Sequence, residues 1–412
     1  MKISVIGAGS SYTPELLKGF RDIKDDIDLK EICLYDINPE KLRTIEEFSR
    51  RYLKGEVKVV TEKIFEDCVK DVSYVLFQFR PGGLEGRLKD ETIPLKYGLI
   101  GQETTGVGGF AMAMRAFPIV EDYINRIEKV SKAFVINFTN PSGHVTEFVL
   151  NYLGYEKFIG LCNIPVNLLK TVADMFEVNL EDVFLKYYGL NHLTFLEKVY
   201  IKSKDVTEEV LEKIKYSPAN IGSSFPSSLI ETLNLLPSSY LKYYIFEKKT
   251  VEELKKSKPR AQVVMEVEKE LFEKYKSASE IPPELSKRGG SMYSTAAAML
   301  IRDVHLSSGS IHIVNTKNSG AVSNIPDDYV MEVPTISKGG KVFPISIGEA
   351  DPFAIAFIHN IKMYERLAIE AYLKRSKKLA LKAILLHPLG PDYDFAEDLL
   401  DDLIEAHGFD LK

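Results

Sequence analysis

Ile3-Ser4-Val5-Ile6-Gly7-Ala8-Gly9-Ser10-Ser11-Tyr12-Thr13-Pro14-Glu15 is the stretch on which the fold turns. Residues 3–7 read as a short buried strand ending in glycine. Thr13, Pro14 and Glu15 then supply a cap, a first-turn proline and an acid suited to the positive end of a helix. Strand, glycine turn and helix form the context of a pyrophosphate-binding turn. Gly7 permits the tight turn, and Gly9, followed by Ser10, lets backbone amides approach phosphates at the helix N-terminus. The usual third glycine is absent, and Tyr12 stands in its place. The next apolar run, Ile32–Tyr35, ends at Asp36, where a carboxylate can accept hydrogen bonds from the adenine ribose and disfavour the extra phosphate of NADP. These residues point to NAD. The plainer alternative is a tight turn, with Asp36 capping the helix that Pro39 opens.

Further strand-like runs follow at Val57–Val60, Tyr74–Phe79, Phe134–Phe138 and Phe158–Leu161, most of them separated by helix-length segments. Such alternation predicts right-handed crossovers and an α/β, Rossmann-like, doubly wound parallel sheet. Ligands in such a sheet lie along the carboxyl ends of the strands, which gathers Gly7–Ser11, Asp36, Arg80–Gly86, Asn140–Gly143 and Cys162–Pro165 around one crevice. Beyond Pro165 the alternation loosens. Strand-like Phe184–Tyr188, Phe195–Ile201 and Ile311–Val314 mix with long charged helices at Thr250–Tyr275 and Asp351–Lys378, and with loops at Gly222–Ser228 and Pro237–Ser239. The 412 residues exceed one ordinary core. The expectation is an NAD-binding domain over 1–165 and a C-terminal α+β domain over 166–412 that closes over the crevice and carries substrate, metal and oligomer contacts.

Composition narrows the function classes. Hydrophobic residues at 45% and charged residues at 27% suit a globular chain, and the net charge of −6 offers no attraction for nucleic acid or anionic lipid. Glycines and serines interrupt the first apolar run, and no run approaches a membrane span. Three cysteines, Cys33, Cys68 and Cys162, argue against a disulfide framework and for a reducing cytoplasm.

Several constellations can carry chemistry. Arg80 and Arg87 follow the fourth strand and can clamp an anionic substrate, or stand as solvated surface charge. The glycine-dense segment Gly101–Gly109 contains Glu103, which can orient a base; a mobile surface loop is the alternative. Asn140, held before Pro141, can reach into the crevice with its amide or cap the next helix. Cys162 at a strand end and His192 in Gly189-Leu190-Asn191-His192 pair thiolate with imidazole, a donor set for a borderline transition metal rather than magnesium. Their wide spacing forms no local metal motif, and spacing alone favours an inert buried cysteine. Tyr240, Tyr243 and Tyr244 by themselves read as packing before catalysis, since tyrosine is a weak base unless a cation stabilises its phenolate.

Taken in order, these segments resemble glycoside hydrolase family 4, and within it the members acting on 6-phospho-β-glucosides. The resemblance runs through Val5–Ser11, Phe79–Gly83, Gly101–Gly106, Asn137–Pro141, Gly160–Asn163, Gly189–His192 and Tyr240. It implies NAD held by Gly7, Gly9, Ser10 and Asp36, and a divalent metal, typically manganese, held by Cys162 and His192. Arg87, Asn140, Asn163 and Arg260 would meet the phosphosugar. Tyr240 would be the catalytic base, with Glu103 raising its basicity. Members acting on α-linked phosphosugars carry aspartate after the metal cysteine as general acid. Asn163 stands there instead, which favours β-linked substrates. The implied reaction is oxidation, elimination, addition and reduction on a phosphorylated disaccharide or aryl glycoside, in a homodimer or homotetramer without nucleic-acid or membrane partners. This family lies outside the two-carboxylate glycosidase scheme. An NAD-dependent 2-hydroxy-acid dehydrogenase, or an NAD-sensing regulator without catalysis, would share the same turn and acid.

Overall fold

A computed structural model describes residues 1–215, 225–288 and 292–412. Among them the strands are β1 (Lys2–Ile6), β2 (Glu31–Tyr35), β3 (Lys58–Thr61), β4 (Tyr74–Phe77), β5 (Phe134–Asn137), β6 (Phe158–Gly160), β7 (Val183–Leu190), β8 (Leu193–Ile201), β9 (Lys204–Asp205), β10 (Leu236–Pro237), β11 (Ile311–Lys317), β12 (Val330–Lys338) and β13 (Lys341–Pro344). The expected N-terminal strands all form, with their ends displaced by a residue or two.

β1 to β6 build a parallel sheet in the order β6-β5-β4-β1-β2-β3. This is the doubly wound dinucleotide order, and it reverses between β1 and β4, where a crevice must open. β4 and β5 are buried at every residue, as strands covered by helices on both faces require. Hydrophobic clusters accordingly pack on both sides of the sheet.

The same sheet continues into the C-terminal half. β11 pairs antiparallel with β6 through Asn315 and Gly160, and β12 and β13 follow to give nine strands. Helix Tyr293–Leu306 lies against helix Thr13–Ile23 at Gly19, where a Cβ would come within 2.7 Å of the Ser294 carbonyl oxygen. The second half therefore completes the first half's sheet as well as covering it. β7, β8 and β10 form a separate antiparallel sheet, with β9 paired to β8.

Several local expectations are corrected. Thr13 does not cap its helix; its hydroxyl donates to the Ala8 carbonyl at 2.7 Å. The helix expected over Thr250–Tyr275 is broken at Pro259, giving Glu247–Lys256 and Arg260–Tyr275, because proline removes an amide donor. Pro237 is not loop but part of β10, opposite Phe195. The loop expected at Gly222–Ser228 falls partly outside the described residues, and Ser227 opens helix Ser227–Leu233. Cys33 on β2 and Cys68 on helix Phe65–Val69 are joined as a disulfide, with Cα atoms 5.6 Å apart. An odd cysteine count thus left room for one bridge, with Cys162 the free thiol.

Beneath the second half, Lys362 is completely buried between Glu147 at 2.9 Å and Glu365 at 2.5 Å. Glu147 also receives Arg366 at 2.8 Å and the Val330 amide at 3.0 Å. Among the described residues no helix is long and apolar enough to cross a membrane.

Candidate active site

A cleft of about 480 Å³ opens at the β1/β4 reversal. Four of the five expected strand ends line it, through Gly7, Gly9 and Ser10, Asp36, Gln78–Leu84 and Asn140; Cys162–Pro165 does not. The Tyr35 carbonyl accepts the amides of Gly7 and Ala8 at 2.9 and 3.0 Å, which locks the turn onto β2. Gly7 sits at φ 86°, and a Cβ there would strike Phe79. At Gly9 a Cβ would lie 2.8 Å from Asp36 Cγ, so the backbone can pass this close only without a side chain. Asp36 accepts the Gly9 amide on one oxygen and the Asn38 amide on the other, both at 2.8 Å. The helix cap itself belongs to Asn38, whose side chain accepts the Lys41 amide. Burial raises the Asp36 carboxyl above its ordinary range, against those two amides and Lys41. Ser10 Oγ accepts the Tyr12 amide at 3.2 Å, leaving its hydroxyl proton to donate elsewhere. Glycine cradle and ribose-facing acid together fit a dinucleotide.

Arginines crowd one end of this region. Glu103, 5% exposed, is held by Arg80 on one oxygen and by Arg87 at 2.9 Å on the other. Arg87 also meets Glu91 at 2.6 Å, and Glu91 accepts the Ala261 amide at the start of helix Arg260–Tyr275. Burial and the like charges of Arg87 and Arg288 hold Arg80 below its ordinary pKa. Arg80, Arg87 and Arg288 each face a carboxylate here, and their remaining guanidinium donors suit an anionic ligand. Arg260 stands differently from expectation. It is exposed, and its guanidinium donates to the carbonyls of Lys287 and Arg288 at 3.3 and 3.1 Å. The buried arginine lining the cleft is Arg288, which lies 4.7 Å from the centre of the Tyr12 ring.

Cys162 and His192 are both buried. Asn191 and His192 form the two-residue turn between β7 and β8, with His192 at φ 67°, a left-handed conformation that costs energy for a side-chain-bearing residue. Thr104 donates its hydroxyl proton to Gln102 at 2.8 Å, so its oxygen accepts from His192 Nδ1 at 2.8 Å and the lone pair of Nε2 stays available. Burial lowers His192 to about 4, keeping it neutral as a ligand must be. Asn191 hydrogen-bonds the Cys162 thiol and donates to Glu332 at 3.1 Å, which ties the two ligand positions together. Asn163 Oδ1 lies 4.0 Å from the Cys162 sulfur. Burial pushes the thiol well above its ordinary pKa, so a bound cation is what would displace its proton. Among the described residues no three His, Cys, Asp or Glu side chains cluster as a metal cage.

Tyr240 stacks flat on His192, with ring centres 4.1 Å apart and planes 9° from parallel. Burial raises its phenol above the ordinary value, Tyr243 and Cys162 add to this, and Arg87 opposes. Asn140 links the two regions: it lines the dinucleotide cleft, while Pro141, Gly143, Thr104 and His192 line a small enclosed cavity next to it. The Asn140–Pro141 peptide is cis.

Sequence reasoning missed Arg288, Glu268 and Tyr293, which enter the cleft from the C-terminal half. It also missed Thr104 and Glu332 as supports of the hairpin. Apart from Thr104, which sits in the glycine-dense segment, none of these lies in a local motif, and only tertiary placement reveals their roles.

Residues 2–178 match the family model described as family 4 glycosyl hydrolase, and residues 187–390 match its C-terminal domain. The 6-phospho-beta-glucosidase BglT of Thermotoga maritima is 59% identical over 99% of this chain and 98% of its own. A solved structure of the 6-phospho-beta glucosidase from Thermotoga maritima with manganese, NAD+ and glucose-6-phosphate superposes with a TM-score of 0.97 at 58% identity, covering 100% of this chain and 99% of that one. Phospho-alpha-glucosidase PagL of Clostridium acetobutylicum is 30% identical over 98% of this chain and 97% of its own.

Proposed function

Because the chain belongs to family 4 of the glycosyl hydrolases, we propose that it hydrolyses 6-phospho-β-glucosides with NAD and a divalent metal, manganese. The observation that carries this reading is the convergence of the Asn191–His192 turn, Cys162 and the Tyr240 ring beside a glycine-cradled cleft. Identity of 59% to a β-glucosidase against 30% to an α-glucosidase supports the β-linkage. So does Asn163, whose amide cannot act as the acid that an aspartate would supply.

Gly7, Gly9, Ser10 and Asp36 hold NAD; Cys162 Sγ and His192 Nε2 hold the cation. Bound NAD supplies a reversible hydride acceptor at C3 of the sugar, and the cation supplies Lewis acidity at the adjoining oxygens and positive charge near Tyr240. Arg87 and Asn140 orient the phosphosugar, with Asn163 beside the cation. Tyr240 Oη takes the proton from C2, acidified by oxidation of C3, and the β-positioned aglycone departs. Glu103 partly neutralises Arg87 and so keeps the phenolate more basic than a bare guanidinium would. Arg260 acts at the rim, organising the segment that carries Arg288. Residues 1–165 would bind NAD; residues 166–412 would bring metal, sugar and partner-subunit contacts in a homodimer or homotetramer. Charged substrate and cofactor, both confined by membranes, support a cytoplasmic setting.

The test is a panel of aryl glucosides and galactosides, α and β, with and without the 6-phosphate, assayed with NAD and manganese. Hydrolysis of the phosphorylated β-glucoside, abolished by chelation and without net NADH, is expected. Chelator-insensitive NADH production from a 2-hydroxy acid without hydrolysis would replace this reading by a dehydrogenase, and tight NAD binding without turnover would leave a regulator.

A further inference from the structure

Helix Arg260–Tyr275 reaches the dinucleotide cleft at Glu268. From it Glu268 and Phe272, one turn apart, grip a lysine on the opposite wall. Glu268 Oε2 lies 2.8 Å from Lys41 Nζ, and the same ammonium lies 5.1 Å from the centre of the Phe272 ring. The other oxygen of Glu268 accepts the Ser11 hydroxyl at 3.0 Å, directly after the glycine turn. Lys41 belongs to the ribose corner. A Cβ on Gly9 would meet Asp36 Cγ at 2.8 Å and Lys41 Cβ at 3.1 Å, and the lysine's charge is felt at the Asp36 carboxyl.

In this fold the adenine ribose rests against the acid at the end of the second strand, and a nearby cation is what admits a 2′-phosphate. Lys41 is such a cation, 42% exposed on its side chain and mobile enough to reach a phosphate if released. We infer that Glu268 is a specificity-determining residue: by engaging the Lys41 ammonium at the edge of the ribose corner it holds the enzyme to NAD, so two carboxylates and not Asp36 alone exclude NADP. This inference rests on the NAD reading above.

The chain contains no tryptophan, so NADH and NADPH can be titrated by their own fluorescence on the full-length protein. In Glu268→Gln the ratio of the NADPH to the NADH dissociation constant should fall about five- to tenfold, the change expected when one cation near the surface gains a phosphate partner. On a Lys41→Ala background the same substitution should leave the ratio where it was. A ratio within twofold of wild type in Glu268→Gln overturns the inference. An equal fall on the Lys41→Ala background also overturns it, since the carboxylate would then act directly on the phosphate. If the wild type binds neither nucleotide, the NAD reading fails first, and visibly apart from either result.

Discussion

Alanine at Gly9 tests the cofactor site most directly. Its Cβ would lie 2.8 Å from Asp36 Cγ, 2.9 Å from Oδ2 and 3.1 Å from Lys41 Cβ. Carbon contacts prefer at least about 3.5 Å, so the turn and the end of β2 must separate by roughly 0.7 Å. That displacement falls on the Gly9 amide bond to Asp36, now 2.8 Å long. Hydrogen bonds to charged groups contribute about 1.5–3 kcal/mol, and forcing a methyl into a packed site costs about 1–3 kcal/mol. If the first amount is lost from binding, NADH affinity drops about 10- to 150-fold. Gly83→Ala is the comparison: Gly83 lines the same cleft at φ 61° with nothing within 4 Å of its Cβ position, so it should cost about 1–2 kcal/mol of backbone strain and far less affinity. Fluorescence titration with NADH reads binding, and thermal unfolding with and without NADH separates it from folding. A Gly9→Ala protein that binds NADH within threefold of wild type would refute the steric argument.

Tyr240→Phe keeps the ring stacked on His192; turnover should fall about 10²- to 10⁴-fold and solvent deuterium should no longer enter C2, while manganese binding persists. Rates within threefold of wild type would remove Tyr240 from the base role. Lys362→Met leaves Glu365 buried without its cation and Glu147 with Arg366 alone, so urea unfolding should register a loss of about 3–5 kcal/mol. Burial lowers His387 to about 3, so between pH 6.5 and that value the unfolded chain takes up a proton that the folded one refuses, and stability falls with pH. From pH 7.5 to 5 that one group costs about 2 kcal/mol; His387→Gln should lose that much less than wild type over the same interval, and an unchanged difference would contradict the assignment.

The readable part of this chain is the part whose chemistry is local. β1, the glycine turn and Asp36 follow one another along the sequence, and each parallel strand carries a short apolar run, so pattern alone finds them. β12 was missed because Pro334 and the buried Glu332 interrupt its apolar run; its partner strands on both sides hold it extended regardless. The residue types of Cys162 and His192 are legible, but their connection is not, because Asn191 and Glu332 couple those positions only after β7, β8 and β12 have met. Arg260 was legible only by resemblance, and the structure assigns the cleft-facing guanidinium to Arg288. Proline at 259 starts the helix at Arg260 and leaves that residue at the rim.

The seam between β6 and β11 has a consequence during synthesis. β6 is complete with Gly160, yet its outer neighbour begins only at Ile311. At ribosomal speeds of about 5–20 residues per second, those roughly 150 intervening residues leave the strand next to Cys162 an unprotected edge for about 8–30 s. Such an edge can recruit stray strands from other chains. A nascent protein of this architecture is thus most vulnerable to mispairing at the border where its free thiol sits, and slow translation or a chaperone that shields that border should govern how much of it matures.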